Sequence, residues 1–191
     1  MGASLTTEQL GEFRLICDDK FDDRELRHMH RLFHRAAPQG KMGPSEFKRY
    51  VEGLGVFQAG AEHETYDQLF RGFDVDQDKQ VSFKDYLRYH RAVVHGGADL
   101  PGVIHAICDA EATGFVTVEG LAKVITNSIR WTGEQDPESA LVAQVVAQTA
   151  TNIVHVCDAD KDGRVSRDEL CDAATRHPEV LEKLKQAVGI S

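Results

Sequence analysis

The sequence predicts an all-α protein built from two pairs of helix–loop–helix units, with a short antiparallel β-ladder between the loops of each pair. The first observation is a weak fourfold repeat along the 191 residues, whose loops begin at Arg35, Asp74, Asp109 and Asp158. The second is that each loop has an apolar residue at its eighth place and lies between stretches of helical periodicity. Because one unit cannot bury its own apolar stripe, we expect the units to pack in pairs.

The segments beside the loops carry helix signals. A helix is predicted to begin at Phe21-Asp22-Asp23, because apolar-face side chains recur at i, i+3, i+4 and i+7: Leu26, Met29, His30 and Phe33. Asp136-Pro137-Glu138 predicts another helix start, with a capping Asp followed by Pro in the first turn. A C-terminal helix is predicted from His177-Pro178-Glu179.

The residues at the eighth place predict the register of each ladder. We expect Met42 to lie opposite Val81, and Val116 opposite Val165. The stretch 95–98, His-Gly-Gly-Ala, is the natural break between the pairs. The prediction is therefore an N-terminal pair over 1–95 and a C-terminal pair with an added helix over 99–191.

Composition and motifs exclude several classes of function. The formal net charge of −9 disfavours nucleic acid as a partner and favours cations or basic protein segments. No uninterrupted apolar run approaches the roughly 18 residues that cross a bilayer. The four scattered cysteines indicate free thiols in a reducing compartment. Since no catalytic motif is found, we predict that the chain is not an enzyme and has no small-molecule substrate.

The loop from Asp158 to Glu169 meets every requirement of the calcium-binding loop of an EF-hand. Calcium takes about six to eight oxygen ligands, which such a loop supplies from places 1, 3, 5, 7, 9 and 12. The predicted ligands are four carboxylates and one backbone carbonyl: Asp158, Asp160, Asp162, the Arg164 carbonyl and Glu169. Gly163 permits the sharp turn at place 6, and Ser166 can hold a water at place 9.

The second loop is a compromised version of the same site. Its candidate ligands are Asp74, Asp76, Asp78, the Gln80 carbonyl and Asp85. Lys79 stands in the glycine place, where left-handed backbone costs about 1–2 kcal/mol for a residue with a Cβ. Asp85 is one methylene shorter than the usual closing Glu, which favours Mg²⁺ or weak Ca²⁺ binding.

The other two loops are degenerate. The third has Gly120 where the closing Glu belongs, and Glu119 is one place early on the exiting helix. The first has no carboxylate before Glu46, so we expect it to be the structural partner of the second loop.

These residues resemble the recoverin-like neuronal calcium sensor family over most of the chain. The N-terminus, Met1-Gly2-Ala3-Ser4-Leu5-Thr6, matches an N-myristoylation signal with Gly2 as the acceptor. Ala37-Pro38-Gln39-Gly40 in the first loop is similar to the family's Cys-Pro-x-Gly. The order of degenerate hand, two middle hands, polar insert, intact fourth hand and C-terminal helix is also that of the family. The chain departs from the family in its two middle loops, which family members usually use to bind calcium.

The resemblance implies a calcium sensor that exposes an apolar groove to a target protein helix or basic segment. It also implies reversible membrane association through a myristoyl group, and hence a cytoplasmic protein that is in part peripheral to the membrane. The groove would be formed by Leu32, Phe33, Phe47, Tyr50, Phe70, Phe73, Phe83 and Tyr86. The alternative for these residues is that most are simply core.

Two other functions stay open on the sequence alone. The chain could be a constitutive EF-hand regulatory subunit, calcineurin-B-like or light-chain-like, in which the ion is structural and the groove permanently holds a partner helix. It could also be a calcium buffer, although a chain with one good site would buffer poorly.

Overall fold

A computed structural model of the chain describes residues 5–54, 63–132 and 136–190. The helices are α1 (Thr7–Ile16), α2 (Asp23–Ala36), α3 (Pro44–Gly53), α4 (His63–Phe73), α5 (Phe83–His95), α6 (Leu100–Cys108), α7 (Val118–Thr132), α8 (Ala140–Cys157), α9 (Arg167–Arg176) and α10 (Pro178–Ala187). The strands are β1 (Lys41–Met42), β2 (Val81–Ser82), β3 (Phe115–Val116) and β4 (Val165–Ser166).

The two predicted ladders are confirmed in register. Strand β1 pairs antiparallel with β2, and Met42 lies opposite Val81. Strand β3 pairs antiparallel with β4, and Val116 lies opposite Val165. The all-α class, with four loops joined in two pairs, is therefore the observed fold.

Local capping explains where several helices begin. Helix α2 begins where the sequence predicts, and the side chain of Asp22 caps it through the Glu25 N–H at 2.8 Å. The predicted start at Asp136 is wrong, because α8 begins at Ala140. The Asp136 carboxylate instead accepts the Glu138 N–H at 3.0 Å and closes a turn ahead of the helix.

Helices α4 and α6 bring the two pairs of hands together. A Cβ added to Gly72 on α4 would lie 2.6 Å from Cγ1 of Ile107 on α6, so the absent side chain permits this close packing. Among the described residues, buried apolar side chains form one cluster that runs from the N-terminal pair into the C-terminal pair. The second loop (loop 2, from Asp74) follows α4 and the third (loop 3, from Asp109) follows α6, so this packing brings the starts of the two loops near each other.

Helix α8 is the one described helix that is long and apolar enough to cross a membrane by length and composition. Its 18 residues have a mean hydropathy of 1.3, but they are not an uninterrupted apolar run, because Gln, Thr and Asn occur among them. The same length and composition also describe the core helix of a soluble protein. Val146, Ile153 and Val154 of α8 are buried in the C-terminal pair.

Candidate metal centres

Two backbone amides of loop 4 donate hydrogen bonds to the carboxylate of its first aspartate, Asp158. Gly163 has a φ of +85°, in the region that favours glycine. This turn directs the Gly163 N–H to Oδ2 of Asp158 at 2.9 Å, while the Asp162 N–H reaches Oδ1 of the same carboxylate at 3.2 Å. The backbone of loop 4 therefore fixes the orientation of the Asp158 carboxylate, which is the first predicted ligand.

Three carboxylates of loop 4 converge. One oxygen from each of Asp158, Asp160 and Asp162 lies within 4.8 Å of the other two. Such a set of charged oxygens suits a hard divalent cation, and the Arg164 carbonyl is the backbone ligand that the loop pattern adds. The residues present therefore fit calcium at this loop.

Glu169 spans loop 4 from its last place to its first residues. Oε1 accepts the Ala159 N–H at 3.0 Å, and Oε2 accepts the Ser166 N–H at 2.9 Å and the Ser166 hydroxyl at 2.8 Å. These hydrogen bonds, the one from the Ser166 amide above all, lower the pKa of Glu169 and keep its carboxylate ionised. An ionised carboxylate in this position can close the site with two oxygens.

Loop 2 has the same backbone hydrogen bonds to its first aspartate, despite its substitution at place 6. Lys79 adopts a φ of +64°, and its N–H reaches Oδ2 of Asp74 at 3.0 Å, as glycine does in loop 4. Oxygens of Asp74, Asp76 and Asp78 also lie within 4.8 Å of one another. The acidic half of loop 2 is thus as well assembled as that of loop 4.

The closing half of loop 2 differs. The Asp85 side chain is 1% exposed, accepts the Ser82 N–H at 3.0 Å and pairs with Arg88 at 3.4 Å. In the part of the chain that the structure describes, it makes no hydrogen bond to the first residues of its loop. Lys41 on β1 donates to Asp78 at 2.6 Å, so a protein ammonium already neutralises one candidate ligand.

The two outer carboxylates of loop 2 are perturbed in opposite directions. Burial raises the pKa of Asp74, which makes its ionised form less favourable. The hydrogen bond from Lys41 lowers the pKa of Asp78. The largest cause is burial for Asp74 and the Lys41 hydrogen bond for Asp78, with smaller contributions from residues of the loop itself.

A side chain from the other pair of hands reaches the start of loop 3. Asp109 accepts the Gly114 N–H at 2.7 Å, so the first aspartate of loop 3 is held by the amide at place 6, as in loops 2 and 4. Arg71 on α4 donates to the carbonyls of Ala106 and Ala110 at 3.4 and 3.3 Å, beside Asp109. Loop 1 keeps its turn at Gly40, with a φ of +85°, and its Glu46 pairs with Arg49 at 3.3 Å.

The predicted groove residues lie mainly in the core of the N-terminal pair. Leu32 is exposed and Tyr50 is half-buried, whereas the others are buried: Phe33, Phe47, Phe70, Phe73, Phe83 and Tyr86. Helix α1, which the sequence reasoning did not identify, packs over one edge, where Phe13 meets Phe83 edge-on at 5.0 Å. Gly2 lies outside the described residues.

Sequence reasoning missed Lys41 and Arg71 as neighbours of the ion loops. Neither belongs to the loop that it contacts, and the distances along the chain from Lys41 to Asp78 and from Arg71 to Ala110 are 37 and 39 residues. For Lys41 a signal was present: it is next to Met42, whose register predicts β1 beside β2. For Arg71 no pattern in the sequence points to loop 3.

Comparisons with known proteins agree with this geometry. The family model described as an EF-hand domain pair matches residues 38–91 and 138–177, which contain loops 2 and 4 whole. Similar curated proteins include the calcium-binding protein NCSA of Dictyostelium discoideum, 24% identical over 135 residues that cover 70% of each chain. Guanylyl cyclase-activating protein 2 of Lithobates pipiens is 23% identical, over 89% of this chain and 86% of that protein.

S-modulin of Aquarana catesbeiana extends the similarity to nearly the full length. It is 23% identical over 186 residues, which are 95% of this chain and 89% of that protein. The order of hands, the paired loops and these relatives lead to one assignment. The chain is a calcium-binding EF-hand protein whose homologues, at low identity, are members of the neuronal calcium sensor family.

Proposed function

We propose that this chain is a calcium sensor that binds Ca²⁺ through loop 4 and regulates a target protein. The ligands are Asp158, Asp160, Asp162, the Arg164 carbonyl and Glu169. The observation that carries the proposal is the Glu169 carboxylate, which reaches from the first turn of α9 to the Ala159 amide at the start of the loop. An ion held there ties the end of α8 to the beginning of α9.

This tie gives calcium a mechanical effect on the C-terminal pair. Helix α9 packs on α6, α8 and α10, so a change in its direction reaches every helix around it. Sensor EF-hands work by such a change in the angle between entering and exiting helices. Asp158 and Glu169 are therefore the residues that convert ion binding into a change in packing.

The output of the sensor is proposed to pass through the N-terminal pair. Its buried aromatic cluster, covered on one edge by α1, would receive an apolar target helix once α1 moves. The net charge of −9 favours a target segment with basic residues. One of the relatives is named for activating guanylyl cyclase, which is a precedent for regulation of a target by a protein of this kind.

We also propose a cytoplasmic location with reversible membrane association through a myristoyl group on Gly2. One myristoyl chain binds membranes only marginally, and residues 3–13 contain no Lys or Arg to add attraction to anionic lipid. The test is co-sedimentation of myristoylated protein and of Gly2→Ala with lipid vesicles in calcium and in EGTA. Equal sedimentation of both proteins would reject the lipid anchor.

A constitutive subunit is the second candidate, and two contacts favour it. Lys41 and Arg71 supply protein cations to loops 2 and 3, so those loops have partners without an added ion. In that case calcium in loop 4 would stabilise the fold without changing its shape.

One experiment separates the two candidates. Emission of the single tryptophan, Trp131, and binding of an uncharged apolar dye are recorded with calcium and with EGTA, for the native chain and Glu169→Gln. A sensor shows a calcium-dependent change in both signals that Glu169→Gln abolishes. Unchanged signals, with calcium binding proved by calorimetry, would favour the constitutive subunit.

A further inference from the structure

A cavity of about 690 Å³ lies where the two pairs of hands meet. Its walls include Phe70 from α4, Val103 and Ala106 from α6, and the first aspartates of loops 2 and 3, Asp74 and Asp109. Small-molecule sites in proteins span about 300–1,000 Å³ and combine apolar walls with a few polar groups. The cavity has the size and the composition of such a site.

Cationic side chains line this cavity, and not all of them have partners. Arg71 donates to the carbonyls of α6, and Arg88 pairs with Asp85. Lys79 and Arg167 also line the cavity, and within the described residues neither side chain makes a hydrogen bond or an ion pair. Two positive charges are therefore available to a ligand.

The acidic side chains of the cavity are already engaged. Asp74 and Asp109 accept backbone amides of their own loops, and Asp99 pairs with Arg91 at 3.0 Å. Asp67 lies near enough to Arg71 to act on its charge. These carboxylates keep their charge but are oriented toward partners they already have, so Lys79 and Arg167 are the charged side chains of the cavity that have no hydrogen-bonding partner within the described residues.

The guanidinium group of Arg167 packs against Gly102 of α6. A Cβ added to Gly102 would lie 2.6 Å from one terminal nitrogen of Arg167 and 2.9 Å from its Nε. The guanidinium group therefore lies directly against the backbone of Gly102 on α6, and Val103 and Ala106 of the same helix line the same cavity. Guanidinium in this position can bind a carboxylate, sulfonate or phosphate with two parallel hydrogen bonds.

We propose that this cavity binds a small amphipathic organic anion. The anionic group contacts Arg167 and Lys79, and the apolar body lies against Phe70, Val103 and Ala106. Because Asp74 and Lys79 belong to loop 2, a divalent ion there would add positive charge beside the cavity and raise the affinity for the anion. This last clause rests on the proposed ion site in loop 2; the anion site itself does not.

The probe is 8-anilinonaphthalene-1-sulfonate, titrated by calorimetry into the full chain in EGTA, so that no ion site contributes. Arg167→Gln is expected to weaken binding by roughly tenfold, because it removes a charge-assisted hydrogen bond. Gly102→Ala keeps the charge but displaces the guanidinium, and is expected to weaken binding by a smaller factor. Arg176→Gln, also on α9 but away from the cavity, is the matched control and should leave the affinity unchanged.

Amide chemical shifts show whether the probe binds at this place. The proposal expects the largest shifts at Val103, Ala106 and Gly114, and expects an uncharged analogue, N-phenyl-1-naphthylamine, to be insensitive to Arg167→Gln. Equal sulfonate affinity in the native chain and in a folded Arg167→Gln variant would overturn the proposal. So would shifts confined to the aromatic cluster of the N-terminal pair.

Discussion

Loops 2 and 4 share one architecture and differ in how they are closed. Both gather three aspartates within 4.8 Å, and both direct the amide at place 6 to the first aspartate, at 3.0 Å in loop 2 and 2.9 Å in loop 4. Glu169 reaches back to the first residues of its loop, whereas Asp85 is held by Ser82 and Arg88. Three clustered aspartates therefore do not complete an ion site, because the closing carboxylate must also reach the first residues of the loop.

The difference also extends to the neighbours of each loop. Lys41 occupies an oxygen of Asp78 from the paired strand, while Arg164, in the corresponding pairing within loop 4, contacts Asp162 from the loop itself. Both fifth-place aspartates thus have a protein cation on one oxygen, and only the one in loop 2 comes from the paired hand. We therefore expect the paired hand to tune the affinity of loop 2, whereas loop 4 depends on its own residues.

Glu169→Gln is expected to give the largest effect. Substitution of residues that only orient metal ligands costs about 10–100-fold in affinity, so loss of a charged direct ligand should exceed about 100-fold. Calorimetric titration with calcium measures it. Asp85→Asn is the matched control at the same place of loop 2, and should leave the tight site intact; loss of that site in Asp85→Asn would contradict the assignment.

Asp85→Glu is expected to give loop 2 a closing ligand. The added methylene lets the carboxylate approach the first residues of the loop, and a charge-assisted contact of this kind corresponds to about tenfold in affinity. Calorimetry should then resolve a second calcium-binding event. The reverse exchange, Glu169→Asp, should weaken loop 4 by a similar factor; no change in either variant would show that the length of the closing side chain is irrelevant.

Lys79→Gly is expected to act on stability more than on affinity. Lys79 already has a φ of +64°, so the backbone strain of about 1 kcal/mol is present whether or not an ion is bound. Removing it should raise the free energy of unfolding by about that amount in urea denaturation, with EGTA present. Gly163→Ala in loop 4 is the converse and should destabilise the fold.

Lys41→Gln is expected to have the smallest effect. Removing an exposed ammonium beside Asp78 should raise the affinity of loop 2 for Mg²⁺ by about two- to fivefold at low salt. The gain should shrink as ionic strength rises, since exposed charges are screened. Arg49→Gln, which removes an exposed charge paired within α3, is the control and should leave magnesium binding unchanged.

Much of the fold could be predicted because its signals are local or periodic. The eighth-place residues gave both ladder registers, since a place in the loop determines which residue faces its partner. The intact loop pattern singled out Asp158, Asp160 and Asp162, whose carboxylates the structure gathers; that they bind the ion stays a prediction. The start of α8 was misplaced because Asp136 can cap a turn as well as a helix.

The parts that were missed depend on contacts between distant segments. Nothing in the spacing of α4 indicates that Arg71 will reach the carbonyls of Ala106 and Ala110. Nor does periodicity distinguish an aromatic groove from an aromatic core, since both need the same stripe on the same helix face. The packing of Phe13 against Phe83 could be seen only in three dimensions.

Loop 4 is expected to bind calcium at lower concentrations, and with higher affinity, than loop 2. A calcium titration followed by ¹H–¹⁵N NMR tests it directly, because Gly163, Lys79 and Gly114 each donate their amide to the first aspartate of their own loop. We expect the Gly163 signal to shift and saturate first, the Lys79 signal to do so only at higher calcium, and the Gly114 signal to show no shift from direct binding. A Lys79 signal that saturates before or together with that of Gly163 would contradict it.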